Sequence, residues 1–146
     1  MAEVVKTYYA NGQLKSRANY KNGKLNGLYE SWYDDGVPRT RTNYKNDDRD
    51  GLYEVWYENG QQWSRANYEN GKLEGLCENW YENSQQLSRV NYKNDKRDGL
   101  VESWYDDGVP RTRTNYKNDD RDGLLETWYS NGQLWTRAIY KDGVEQ

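Results

Sequence analysis

Short stretches that alternate apolar and polar residues recur along the chain, each closed by a cluster of Asn, Asp and Gly. Leu28 to Tyr33 (LYESWY) sets Leu28, Glu30 and Trp32 on one side and Tyr29, Ser31 and Tyr33 on the other. That period of two, in residues that favour extended backbone, predicts a β-strand. Asp34-Asp35-Gly36-Val37 predicts a turn, Arg39 to Tyr44 (RTRTNY) the return strand, and Asn46 to Gly51 the next turn. Val4 to Tyr8 aligns with Leu28 to Trp32 and predicts an opening strand. Six Asn-Gly pairs, Asn11-Gly12 and Asn59-Gly60 among them, are expected in turns, because both residues tolerate the positive φ of tight hairpins. Pro38 and Pro110 fall at the first residue of a return strand, one of the few strand positions proline accepts. No window carries an apolar 3.6-residue period, so no helix is expected.

The elements repeat. Trp-Tyr recurs every 24 residues at Trp32, Trp56, Trp80, Trp104 and Trp128, and Tyr8-Tyr9 continues the series backwards. Arg17, Arg41, Arg65, Arg89, Arg113 and Arg137 keep the same step, as do the tyrosines Tyr20 to Tyr140 and the glycines Gly27 to Gly123. Residues 30–52 recur unchanged at 102–124. The expectation is a single all-β domain over residues 1–146: an elongated, single-layer antiparallel meander of six 24-residue hairpins, about 12 strands. Its repeats are placed at about 8–31, 32–55, 56–79, 80–103, 104–127 and 128–146, after an opening strand at 2–7.

Register follows from pairing across the turns. If Tyr33 faces Pro38, Glu30 faces Arg41; if Tyr20 faces Gly27, Glu30 also faces Arg17. Each of Glu30, Glu54, Glu78, Glu102 and Glu126 then lies between two arginines, in a ladder of opposite charges beside the tryptophans. Such pairs contribute a few tenths to about 1 kcal/mol each. Lys6 replaces Glu in the first repeat and weakens that end. The opposite face is expected to carry Tyr20, Tyr29 and Tyr33 with Ser16 and Ala18 between them.

Composition decides between a folded and a disordered chain. Charged residues make up 31% and hydrophobic ones only 34%, yet 7 Trp and 15 Tyr are present and no Phe. Disordered chains lack such rings, so a packed structure built on amphipathic aromatics is expected. Net charge is -3, which gives no footprint for nucleic acid. There is no histidine, so imidazole chemistry is excluded, and one cysteine, Cys77, excludes an internal disulfide framework. No apolar stretch suits a membrane span or signal peptide, and a cytoplasmic location is expected.

The pattern Trp/Tyr-Tyr-x-Asn-Gly-Gln-Leu, followed by Asn-Tyr-Lys-Asn-Gly-Lys-Leu-x-Gly-Leu, is plainest at residues 8–28. It resembles the MORN repeat, in the variant common in bacteria and large DNA viruses, over about residues 4–143. The resemblance implies a twisted ribbon of hairpins and a scaffold or interaction role rather than catalysis. Bacterial relatives of the YwqK type imply a narrower role, an antitoxin or immunity protein that neutralises a toxin; eukaryotic relatives imply lipid or assembly partners. Asp47, Asp95 and Asp119 depart from the turn glycine of Gly23 and Gly71, and Ser84 from that of Gly12, which puts the local turn geometry in question. The choline-binding wall repeat also uses Trp-Tyr hairpins, but with units nearer 20 residues and Gly-Trp steps, and no Gly-Trp occurs here.

Several constellations invite chemistry. Asn46 to Gly51 opens like a calcium-binding EF-hand loop, but its twelfth position is Tyr57 where a bidentate Glu is required. No metal or cofactor is expected. The arginine column is matched by glutamates, which argues for cross-strand pairing over phosphate contacts. Paired carboxylates such as Asp34-Asp35 lie in open turns unsuited to acid–base work, so no enzyme is expected. Cys77 reads as a small apolar substitute for tyrosine. The regular Trp and Arg columns are expected to be structural. Trp63, Leu87 and Trp135 break a column that is Lys15, Arg39 and Arg111 elsewhere. They are expected on the Arg-Glu face as a patch and are the candidate binding residues, since Trp is favoured at hot spots. The functional expectation is a non-enzymatic scaffold or protein-interaction module, with a glycan- or lipid-head-group binder as the competing class. Nucleic acid is not expected as a partner, nor a membrane; end-to-end association through exposed edge strands is.

Overall fold

The computed structural model describes all residues, Met1–Gln146. Every element is a β-strand, and no helix is present that is long and apolar enough to cross a membrane. The chain forms two compact units, Met1–Lys72 and Leu73–Gln146.

The first unit holds β1 (Ala2–Tyr8), β2 (Leu14–Lys21), β3 (Lys24–Trp32), β4 (Pro38–Lys45), β5 (Asp48–Trp56) and β6 (Gln62–Glu69). Each strand pairs antiparallel with the next. The short β7 (Lys72–Leu73) lies at the division. The second unit repeats the scheme with β8 (Gly75–Trp80), β9 (Gln86–Lys93), β10 (Lys96–Trp104), β11 (Pro110–Lys117), β12 (Asp120–Trp128), β13 (Leu134–Lys141) and β14 (Val144–Glu145). There are 14 strands where about 12 were expected. One repeat's long strand is broken at Glu74 into β7 and β8, and β14 is additional. Pro38 and Pro110 open β4 and β11 as expected.

The strands that carry the Trp-Tyr motif begin earlier than predicted, because the preceding turn is shorter. Only Asn22-Gly23 or Asn46-Asp47 forms it, and both residues have positive φ: 52° and 76°, 49° and 72°. Asp48 to Gly51 belongs to β5 rather than to the turn. Asp47, Asp95 and Asp119 keep the left-handed conformation of the glycine they replace, and so does Ser84, so the turn geometry survives those departures. Asn26-Gly27 is not in a turn but inside β3, where Gly27 sits at a φ of 106°.

The expected ladder register holds. Lys6, Arg17, Glu30, Arg41, Glu54 and Arg65 lie directly opposite one another in the first unit. Glu78, Arg89, Glu102, Arg113, Glu126 and Arg137 do so in the second. Ion pairs close at Arg17–Glu30 (3.3 Å), Arg89–Glu78 (3.6 Å) and Arg113–Glu102 (4.0 Å). The arginines are largely exposed, so each pair contributes only a few tenths of a kcal/mol.

The assumed partners at the turns are corrected by two kinds of bulge. Pro38 faces Trp32, not Tyr33, because Arg39 is an extra residue between Thr40 and Pro38. Tyr20 faces Leu25, not Gly27, because three residues of β3 bulge opposite Asn19. The Asn19 amide donates to the freed Leu28 carbonyl at 2.6 Å, and Asn91 serves Leu100 at 2.9 Å.

The face opposite the ladder holds the core. Its central row in the first unit reads Val5, Ala18, Tyr29, Thr42, Tyr53, Ala66, with Ala18, Thr42 and Ala66 buried. Small side chains lie under large rings, and Tyr29–Tyr44 and Tyr53–Tyr68 meet edge to face at 6.1 and 6.0 Å. Each such ring pair adds about 0.5–1.5 kcal/mol beyond its area. In the second unit the row contains Cys77, Val90, Val101, Thr114, Leu125 and Ala138.

Candidate functional site

The residue column singled out in the sequence is the bulge column. Lys15, Arg39, Trp63, Leu87, Arg111 and Trp135 are each the extra residue opposite a Trp, or opposite Tyr8 in the first repeat. A bulge interrupts the alternation of faces and re-aims its side chain. At Lys15, Arg39, Trp63, Arg111 and Trp135 the side chain turns onto the second tyrosine of its motif, not toward the Arg-Glu ladder as alternation alone suggested.

Each of these contacts is a ring contact. Lys15 Nζ lies 5.5 Å from the centroid of Tyr9, and the Arg39 and Arg111 guanidinium carbons lie 5.6 Å from Tyr33 and Tyr105. Trp63 stacks on Tyr57 at 4.9 Å with 10° between the planes, and Trp135 on Tyr129 at 5.4 Å and 26°. Both tryptophans keep open surface, 45% and 64% exposed, whereas Leu87 is half-buried. In the second unit Arg111 stands between Leu87 and Trp135, so a cation divides the two apolar residues.

Four tyrosines of this series are held through their hydroxyls. The hydroxyls of Tyr9 and Tyr33 donate to the carbonyls of Trp32 and Trp56, both at 2.6 Å. Tyr81 and Tyr105 bond Trp104 and Trp128 in the same way, at 2.7 and 2.8 Å. Trp32, Trp56, Trp104 and Trp128 are thus half-buried strand ends whose backbone anchors the preceding repeat. Burial pushes the Tyr33 hydroxyl above its ordinary pKa, so it remains a protonated donor.

In the first unit this row borders a groove of about 390 Å³. Lys15, Arg39 and Arg49 contribute cations, and Tyr9, Tyr29 and Tyr53 contribute rings. Thr42 also lines it, 2% exposed, with an Oγ1 that has no hydrogen-bond partner. Leaving such a group unpaired costs about 1–3 kcal/mol. Arg49 lies 4.3 Å from the Tyr53 centroid and 5.4 Å from Tyr68. Burial is the largest single influence and pulls its pKa down, but the hydrogen bonds and electrostatic interactions with Tyr44, Tyr53 and Tyr68 together outweigh it, and the shift is upward. Sequence reasoning passed over Arg49, Tyr29 and Thr42. A comparison of the residues that flank the two identical segments would have found Tyr29, but Thr42 and Arg49 lie inside those segments and recur as Thr114 and Arg121, so nothing in the repeat marks them.

Other candidates have structural uses. The Asp47 carboxylate accepts the Leu25 amide, and Asp119 that of Arg97, each at 2.8 Å. Burial raises the Cys77 thiol, which makes it a poor nucleophile.

A family model described as a MORN repeat variant matches six segments of the chain: residues 4–22, 25–46, 49–70, 73–94, 97–118 and 121–142. No curated protein matches it.

Proposed function

The chain belongs to the MORN repeat variant family, and from that premise we propose that it is a non-enzymatic interaction module whose partner is a protein. Repeats of this family are protein- or membrane-binding modules, and the family is not one of enzymes. The observation that supports a protein partner is the pair of exposed stacks, Trp63 on Tyr57 and Trp135 on Tyr129. A tryptophan held flat on a tyrosine has lost its rotamer freedom before any partner arrives. Pre-ordering of that kind lowers the entropic cost of binding. Trp is also the residue most enriched at interface hot spots.

The test is affinity capture with the full chain against the same chain carrying Trp63→Lys and Trp135→Lys, with anionic vesicles as a parallel arm. A protein retained by the wild type and lost from the variant supports the reading. Vesicle pelleting without any such protein overturns it.

A further inference from the structure

We propose that the groove of the first unit receives an acidic peptide segment of the protein partner, with Lys15, Arg39 and Arg49 as its carboxylate contacts. The proposal rests on the interaction-module reading above and names the chemistry of one of its sites. Three cations line this groove and no Asp or Glu does, in a chain whose net charge is -3. The two units divide that charge unevenly. The first has 11 basic and 10 acidic residues, net +1; the second has 10 and 14, net -4.

The internal duplication supplies the comparison. Residues 30–52 are identical to 102–124, so the groove's central segment exists in both units. What differs is its flanks. Lys15, Tyr29 and Tyr53 of the first unit correspond to Leu87, Val101 and Leu125 of the second. All three first-unit residues line the groove. The exchange removes a cation and two ring hydroxyls together, so the first unit's copy is polar and cationic where the second's is aliphatic.

The geometry suits an extended chain with carboxylates. Lys15 and Arg39 are exposed and held over Tyr9 and Tyr33 one repeat apart. Each ring contact positions its cation at the groove, and a guanidinium can grip carboxylate oxygens in a bidentate manner. Ser16, Ser31 and Thr40 line the path between them.

Fluorescence anisotropy of a labelled oligoglutamate peptide with the full chain at low ionic strength tests this. Saturable binding is expected, weakened at least about tenfold by Lys15→Leu with Arg39→Gln. It should be unchanged by Arg41→Gln, which removes the same charge from the ladder face of the same unit. If the double variant melts early, Lys15→Leu alone decides, since the second unit already carries leucine there. Absence of saturable binding, an equal loss from Arg41→Gln, or displacement of the peptide by inorganic phosphate or phosphatidylserine vesicles at equal charge concentration would each overturn the proposal. If oligoglutamate fails while partner capture still depends on Trp63 and Trp135, this inference falls and the interaction-module reading stands.

Discussion

Asp47 and Leu25 bond twice across neighbouring turns. The Asp47 amide donates to the Leu25 carbonyl at 2.9 Å, and the Leu25 amide donates back to the Asp47 carboxylate at 2.8 Å. Where glycine stands instead, at Gly71, only the first bond is made, to the Arg49 carbonyl at 2.8 Å. Aspartate therefore accepts a left-handed backbone, about 1–2 kcal/mol for an ordinary residue, and in return satisfies an otherwise open N–H. Asp47→Ala keeps the strain and loses the bond, and is expected to destabilise by about 1–3 kcal/mol. Asp47→Gly loses the bond and the strain together and should change stability by less than about 1 kcal/mol. Urea unfolding of the two variants side by side checks the order.

The equivalent carboxylate predicts a pH effect. The Arg97 backbone amide, and then its guanidinium at 3.0 Å, hold Asp119 below the ordinary carboxylate pKa. A depressed folded-state pKa stabilises at pH above the unfolded value of about 3.9. That contribution is lost as pH falls through the lower folded value. Titration of Asp119 followed by NMR should show the depressed midpoint. Arg97→Gln should raise it only part of the way, because the backbone donor remains.

Lys6 faces Arg17, where every later repeat pairs a glutamate with an arginine. Lys6→Glu exchanges repulsion for attraction and should raise stability by a few tenths to about 1 kcal/mol. The gain should shrink in high salt, since both groups are exposed. Thermal melting at two ionic strengths measures it.

Tyr33→Phe removes a 2.6 Å bond to the Trp56 carbonyl and little else. A loss of about 0.5–1.5 kcal/mol is expected. Trp63→Lys should cost less than about 1 kcal/mol, because Lys15 already makes the corresponding contact with Tyr9. A sharp fall in melting temperature for Trp63→Lys would assign that ring to the core instead of to a binding surface.

The charge ladder was legible because its residues recur at one fixed step, and any register that matches Glu30 to Arg41 must match the rest. The bulges were not legible. Arg39 and Trp63 look like ordinary strand residues in a period-two pattern, and nothing in their identity marks them as the extra residue. The glycine column was visible, but its purpose was not: Gly27 permits a φ of 106° with Asn19 packed 3.4 Å from where a Cβ would be. Trp63, Leu87 and Trp135 were picked out correctly as departures from the repeat. The face they occupy came out wrong, since alternation counts residues and a bulge breaks the count. The groove went unseen because none of its members is unusual alone.

The tyrosine that bonds a tryptophan carbonyl 23 residues ahead carries a consequence for how such a chain changes length. Tyr33 to Trp56 and Leu25 to Asp47 are contacts between one repeat and its successor, and they are set by sequence offset alone. Copying a whole number of repeats keeps these offsets at the new junctions, while a deletion of any other length breaks the contacts that span it. The gene can therefore lengthen or shorten by unequal crossing-over without passing through an unfolded product. The unchanged recurrence of residues 30–52 at 102–124 is the mark such an exchange leaves. A freshly copied block comes with its scaffold intact, and only the residues around it, such as Lys15 and Leu87, need to diverge for the two copies to present different surfaces.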